Sequence, residues 1–137
     1  MHRERRSELH KKAAEILQKA RSIVANRDHW AQMAMAIERD GRQCPSSHVN
    51  AVRWCISGAL QKSMDEIYGP GRPAPETSSE RVLAYEALTQ HKPELLIKKI
   101  GDEISSMTMP EINDHPLTEH TDILEWLDCA IKGAGKQ

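Results

Sequence analysis

The stretch Ala51-Val52-Arg53-Trp54-Cys55-Ile56-Ser57-Gly58-Ala59-Leu60 decides the fold of this chain. We interpret its spacing as helical, because the small residues at positions 51, 55, 58 and 59 then share one helix face. A face of Ala, Cys and Gly lets a second backbone approach closely. Gly58 inside a helix costs about 1 kcal/mol relative to Ala, so close packing is the expected reason for it. The pattern predicts a buried helix over residues 48–68.

Four further segments show the 3.6-residue periodicity of amphipathic helices. They cover residues 8–26 with Ser7 as N-cap, residues 80–91, residues 93–106, and a last helix that Thr118 caps and Gly133 ends. A chain of 137 residues is most simply one domain with a substantial core. We therefore expect a mainly α fold, a single compact domain of four to five helices over residues 1–137. Its ends, about 1–6 and 134–137, are expected to fray.

Residues 29–39 fit two structures. Ala and Met favour a continued helix, whereas the alternation of Met33, Met35 and Ile37 suits a strand. The Asp40-Gly41 pair predicts a turn, so we favour an extended stretch in a short two-strand ribbon near residues 33–44. Two Gly and three Pro over residues 69–75 predict a loop.

Composition indicates a soluble chain, with 28% charged residues and a mean hydropathy of −0.63. No apolar run approaches the roughly 18 residues of a membrane span, and the charged N-terminus does not resemble a signal peptide. The three cysteines, at positions 44, 55 and 129, show no disulfide framework. These features predict a cytoplasmic protein without a membrane partner.

The net charge of −1 conceals an uneven distribution. Residues 1–27 carry eight Lys or Arg against three Glu, and residues 101–128 carry eight Asp or Glu with no Lys or Arg. Either the two ends attract each other, within or between chains, or each faces a different partner. Two solvated helix faces are the simpler interpretation.

Three features together resemble a family of small uncharacterised bacterial and phage proteins, known only as a domain of unknown function. They are Trp30 after the first helix, the central block of residues 51–60, and the Asn113-Asp114 pair before a last helix with Ile123-Leu124 and Ala130-Ile131. The resemblance covers residues 10–131. It implies a bacterial or phage setting in the cytoplasm, and it implies no catalytic residue.

The sequence offers weak candidates for chemistry. Cys44 and His48 could begin a zinc site, but no second pair of ligands follows. Cys55 and Cys129 lie on apolar helix faces, which favours buried, inert thiols. No motif of a nucleotide-binding loop, a hydrolase or a metalloprotease occurs. We therefore expect no catalytic residue, no metal and no cofactor, and we lean against an enzyme.

The densest polar group surrounds Asn113, Asp114 and His115. These residues, with Trp30 and Arg53, are our candidates for a ligand-binding site. The competing interpretation is structural, because Asn and Asp commonly bind backbone groups in turns.

Three functions remain open. The leading hypothesis is a small helical module that binds and modulates a partner protein, in the setting of a bacterium, phage or mobile element. Its candidate surface is acidic and contains Glu119, Asp122 and Glu125. One alternative is a small-molecule-binding protein or small enzyme with a pocket near Trp54 and Asn113-Asp114. The other is nucleic-acid binding through the basic N-terminal helix, which is not favoured. A homo-oligomer is compatible with each function.

Overall fold

The computed structural model describes residues 2–69 and 77–135, and the side chains of residues 7–69 and 79–135. In these ranges the chain forms six α-helices and a three-stranded antiparallel sheet. The predicted mainly α fold with a small ribbon is confirmed. The elements are α1 (His2–Ile23), β1 (Ala36–Glu38), β2 (Gln43–Cys44), β3 (Ala51–Trp54), α2 (Ile56–Tyr68), α3 (Thr77–Gln90), α4 (Glu94–Ile100), α5 (Met109–Asp114) and α6 (His120–Ala134).

The central stretch is a strand followed by a helix, so the predicted helix over residues 48–68 is wrong before residue 56. Residues 51–54 form β3, in which Arg53 is exposed while Trp54 is buried. This alternation has the period of a strand. Cys55 has extended backbone angles and is the N-cap of α2. Gly58 remains a site of close packing, because an added Cβ would overlap the carbonyl group of Met35.

The sheet confirms the predicted ribbon and adds a strand to it. The strand order is β2-β1-β3, and the register pairs Ala36 with Cys44 on one side and with Trp54 on the other. Gly41 turns the β1–β2 hairpin with a φ of 92°. Trp30 forms an isolated parallel bridge with Trp54, and this bridge brings the segment after α1 beside β3.

The ends of the first and last helices differ from the prediction. Helix α1 begins at His2, so Ser7 lies within the helix and is not its cap. Helix α6 continues through Gly133 to Ala134, which is 4% exposed. The His91 side chain occupies the space where a Cβ of residue 133 would lie, so the absent side chain serves helix packing. Residues 136–137, and the predicted loop beyond Gly69, lie outside the described residues.

The prediction for residues 93–119 is also wrong in its details. The predicted helix over 93–106 is two pieces, α4 and a 3-10 helix over Asp102–Ser106, because Gly101 has a φ of 94° between them. Between the predicted helix over 93–106 and the last helix lies α5, which was not predicted from the sequence and which begins with a capping box between Thr108 and Glu111. Thr118 is not the cap of α6, because Glu119 takes that position and Thr118 bonds the carbonyl of Ile112.

One hydrophobic cluster joins α1, α2, α3 and α6 with the sheet. Its largest fully buried side chain is Trp126, whose indole N–H donates to the carbonyl of Leu88 at 2.7 Å. The core side chains with 0% exposure are Ala13, Ile16, Leu17, Ala20, Val24, Ala36, Ile56, Ala59, Leu60, Leu96, Ile123, Leu127 and Ala130.

Candidate functional site

Asn113 lies at the carboxyl end of α5 and is completely buried. Its side-chain oxygen accepts hydrogen bonds from the indole of Trp30 and the backbone N–H of Ile56, each at 3.0 Å. Its amide nitrogen donates to the carbonyl of Ala31 at 3.1 Å and to the Asp114 carboxylate at 2.9 Å. An amide has two acceptor sites and two N–H donors. All four are used within the protein, so this side chain has none left for a ligand.

Asp114 and its neighbours bind the segment 31–35, which we call the methionine loop. The Asp114 carboxylate accepts the backbone N–H of Met33 at 2.7 Å. The Gln32 amide donates to the carbonyls of Asn113 and His115, at 2.9 and 3.3 Å. The methionine loop is thus tied to the end of α5 through both its backbone and a side chain.

The far end of the methionine loop is tied to α2. The carbonyl of Met35 accepts the backbone N–H of Cys55 at 3.2 Å and lies against Gly58. Met33, whose N–H makes the first attachment, has a φ of 68°, the left-handed conformation that is uncommon outside Gly. A methionine there costs about 1 kcal/mol in backbone strain. The hydrogen bonds on both sides maintain this conformation.

The methionine loop displays apolar side chains to solvent. Met33 is 71% exposed and Met35 is 44% exposed. Leu117, two residues beyond the His115 carbonyl that Gln32 binds, is 52% exposed, and its N–H donates to the His115 ring at 3.1 Å. We call Met33, Met35 and Leu117 the methionine patch.

Carboxylates lie near Leu117, one of the three residues of the methionine patch. The His115 ring lies 3.8 Å from Glu103, and the Lys99 ammonium lies 3.7 Å from Glu119 and 2.7 Å from Asp122. Asp122 is only 1% exposed and also accepts the backbone N–H of Glu119. Its hydrogen bond raises the pKa of Lys99 and keeps the ammonium charged.

The three acidic residues predicted for partner binding therefore do not form one surface. Asp122 is committed to Lys99 and to the start of α6, and it offers no surface to a partner. Glu119 stays exposed beside the turn that carries Leu117. Glu125 is exposed elsewhere, in a cleft of about 480 Å³ between α4 and α6 that Leu95 and Asp128 also line.

Of the five residues predicted for ligand binding, four lie together and one does not. Trp30, Asn113, Asp114 and His115 come together through the hydrogen bonds above. Arg53 is exposed on β3, opposite Ile37, and takes no part in them. Sequence reasoning missed Gln32 and Leu117. The Asn113-Asp114 pair was a signal for the neighbourhood of Leu117, whereas Gln32 is brought to it only by folding.

The remaining candidates show structural roles. The Cys55 sulfur accepts the N–H of Gly58 at 3.2 Å, and burial raises the pKa of its thiol, which disfavours the thiolate. Burial and the nearby Glu38 and Asp40 also raise the pKa of Cys44. Among the described side chains, no group of three or more His, Cys, Asp or Glu could hold a metal ion.

The basic N-terminus is only partly described. Lys11 and Lys12 are exposed on α1, whereas the side chains of Arg3, Arg5 and Arg6 lie outside the described residues. Within the described ranges, no helix combines the length and the apolar character that a membrane crossing needs.

Comparison with known proteins identifies the family of this chain but assigns it no activity. No curated protein and no solved structure matches the chain at a significant level. One family model, described as a family of unknown function, matches residues 9–133. This match covers nearly the whole chain, and the chain belongs to that family of unknown function, DUF6197.

Proposed function

We propose that this protein is a small interaction module that binds a partner protein through the methionine patch. The observation that carries this proposal is Met33, a long apolar side chain that is 71% exposed on a strained backbone. A glycine at this φ would remove both the strain and the exposed apolar surface. Strain retained at an exposed residue favours a function for its side chain.

The attachments of the methionine loop support binding. Asp114 holds its centre, and Cys55 and Gly58 hold its end. A surface that is already ordered loses little conformational entropy when a partner docks, so more of the contact energy appears as affinity. Methionine side chains also adapt to partner surfaces of varied shape.

The proposed surface differs from the acidic surface that the sequence predicted. Glu119 remains beside the patch, but Asp122 is buried and Glu125 lies in the α4–α6 cleft. We propose a bacterial or phage-encoded protein that acts in the cytoplasm. The resemblance described above and the three free cysteines support this setting.

The test compares proteins captured by immobilised variants from an extract of the cells that encode the chain. The double variant Met33→Asn and Leu117→Ser removes two apolar side chains, and Asn tolerates the left-handed conformation. The control Val82→Ser removes an apolar residue on α3 that is 52% exposed. We expect proteins that bind the wild type and the control but not the double variant. Equal capture by all three, at equal thermal stability, contradicts the proposal.

A further inference from the structure

The methionine patch has an acidic border. Glu103 and Glu119 have side chains that are 67% and 72% exposed, and Asp114 lies beneath the methionine loop. Lys99 contacts both the buried Asp122 and the exposed Glu119, and its ammonium lies 3.5 Å from the carbonyl of Leu117. His115 contacts Glu103, and its Nδ1 accepts the N–H of Leu117. The carboxylates of Glu103, Asp114, Glu119 and Asp122 outnumber the ammonium of Lys99, so the charge near Leu117 is net negative.

The backbone of the methionine loop cannot pair with an added strand at its two anchor points. The N–H of Met33 is bound by Asp114, and the carbonyl of Met35 is bound by Cys55. Strand addition relies on free backbone groups at a sheet edge. Strand addition is therefore disfavoured at these two positions, whereas an amphipathic helix binds through its side chains.

From the apolar centre, the acidic border and the occupied backbone groups, we infer that the methionine patch docks a basic amphipathic helix of the partner protein. This inference rests on the proposed function. Apolar residues on one face of that helix contact Met33 and Leu117. Lys or Arg on its flanks face Glu103 and Glu119, which increases the association rate and excludes acidic helices.

A second copy of this chain is a poor occupant. Its basic helix, α1, places its apolar stripe in its own core, where Ile16, Leu17 and Val24 are 0% exposed. Docking that helix on another copy would first require the core to open. Helix α1 of a second copy is therefore excluded, and we assign the docked helix to a different protein.

The test measures fluorescence anisotropy with two designed peptides, each with leucines on one helical face and either lysines or glutamates on the other. We expect the wild-type protein to bind the lysine peptide, with affinity that falls as salt rises, and not the glutamate peptide. The double variant Glu103→Gln and Glu119→Gln should bind the lysine peptide about tenfold more weakly, since each exposed charge contributes modestly. The control Glu86→Gln and Glu94→Gln makes the same charge change at exposed positions on α3 and α4.

Three results would overturn the inference. They are equal binding of both peptides, equal loss in the control variant, or a dimer that Met33→Asn and Leu117→Ser dissociates. If neither peptide binds while cellular capture still depends on Met33 and Leu117, the helix inference fails and the proposed function stands. If capture is also independent of these residues, both fail.

Discussion

The side-chain oxygen of Asn113 accepts the first backbone N–H of α2, that of Ile56, at 3.0 Å across 57 positions of sequence. The same oxygen accepts the Trp30 indole, so a single amide joins α5, the start of α2 and the segment after α1. Asn113 and Asp114, which the sequence predicted as part of a ligand site, thus hold the methionine loop in place through hydrogen bonds.

Replacing Asn113 by Ala should destabilise the protein strongly. The change removes four hydrogen bonds and leaves the buried N–H of Ile56 and the buried carbonyl of Ala31 without partners. At about 1–3 kcal/mol for each buried unsatisfied group, we expect a loss of roughly 3 kcal/mol. Urea unfolding measures it, with the exposed Asn50→Ala as control. A loss below that of the control would contradict the role given to Asn113.

Gly58→Ala should be more damaging than a single methyl group suggests. Its Cβ would overlap the Met35 carbonyl group, so either the methionine loop or α2 must move. We expect a loss of about 3 kcal/mol in unfolding free energy. Gly41→Ala is the matched control, because Gly41 has a φ of 92° and no atom near the added Cβ. Its strain costs about 1 kcal/mol, and equal losses would contradict the close contact at Gly58.

Met33→Gly should leave stability unchanged or raise it, whereas Met33→Val should lower it. The φ of 68° suits Gly, and a β-branched residue is strained there. We expect a difference of about 1–2 kcal/mol between the two variants in urea unfolding. Met33→Gly should still abolish partner capture, because the exposed side chain is lost. Retained capture would show that the partner does not contact residue 33.

Glu80→Gln should change how stability depends on pH. Glu80 is 2% exposed, and its Oε2 has no hydrogen-bond partner. Burial raises the pKa of Glu80, the carboxylates of Glu15 and Glu8 raise it further, and Lys12 opposes them. The folded state thus holds the proton more tightly than the unfolded chain does.

The sign of the effect follows from this raised pKa. The contribution of Glu80 to stability should fall as pH rises from the ordinary pKa of 4.5 through the raised folded-state pKa, and then level off. Glu80→Gln should lack this loss, while the exposed control Glu86→Gln should retain it. Thermal melts across the acidic range measure both, and identical pH profiles for the wild type and Glu80→Gln would contradict the account.

The sequence predicted the helical class because long amphipathic patterns such as that of α1 determine which face is buried. It misassigned residues 51–54, since Ala, Val and Trp occur in both helices and strands, and only pairing with β1 selects the strand. It placed Asn113-Asp114 at an important position but could not show which groups they bind. Their partners, Trp30 and Met33, are about 80 residues away and are brought near only by folding.

The most direct measurement places a photo-crosslinking amino acid with a diazirine group at position 33 and, for comparison, at position 82. Both positions are exposed, at 71% and 52%, and they lie on different elements. After irradiation in the cells that encode the chain, we predict a specific covalent adduct with one partner protein from position 33 and none from position 82. The same adducts from both positions, or none from position 33, would contradict the methionine patch as the binding surface.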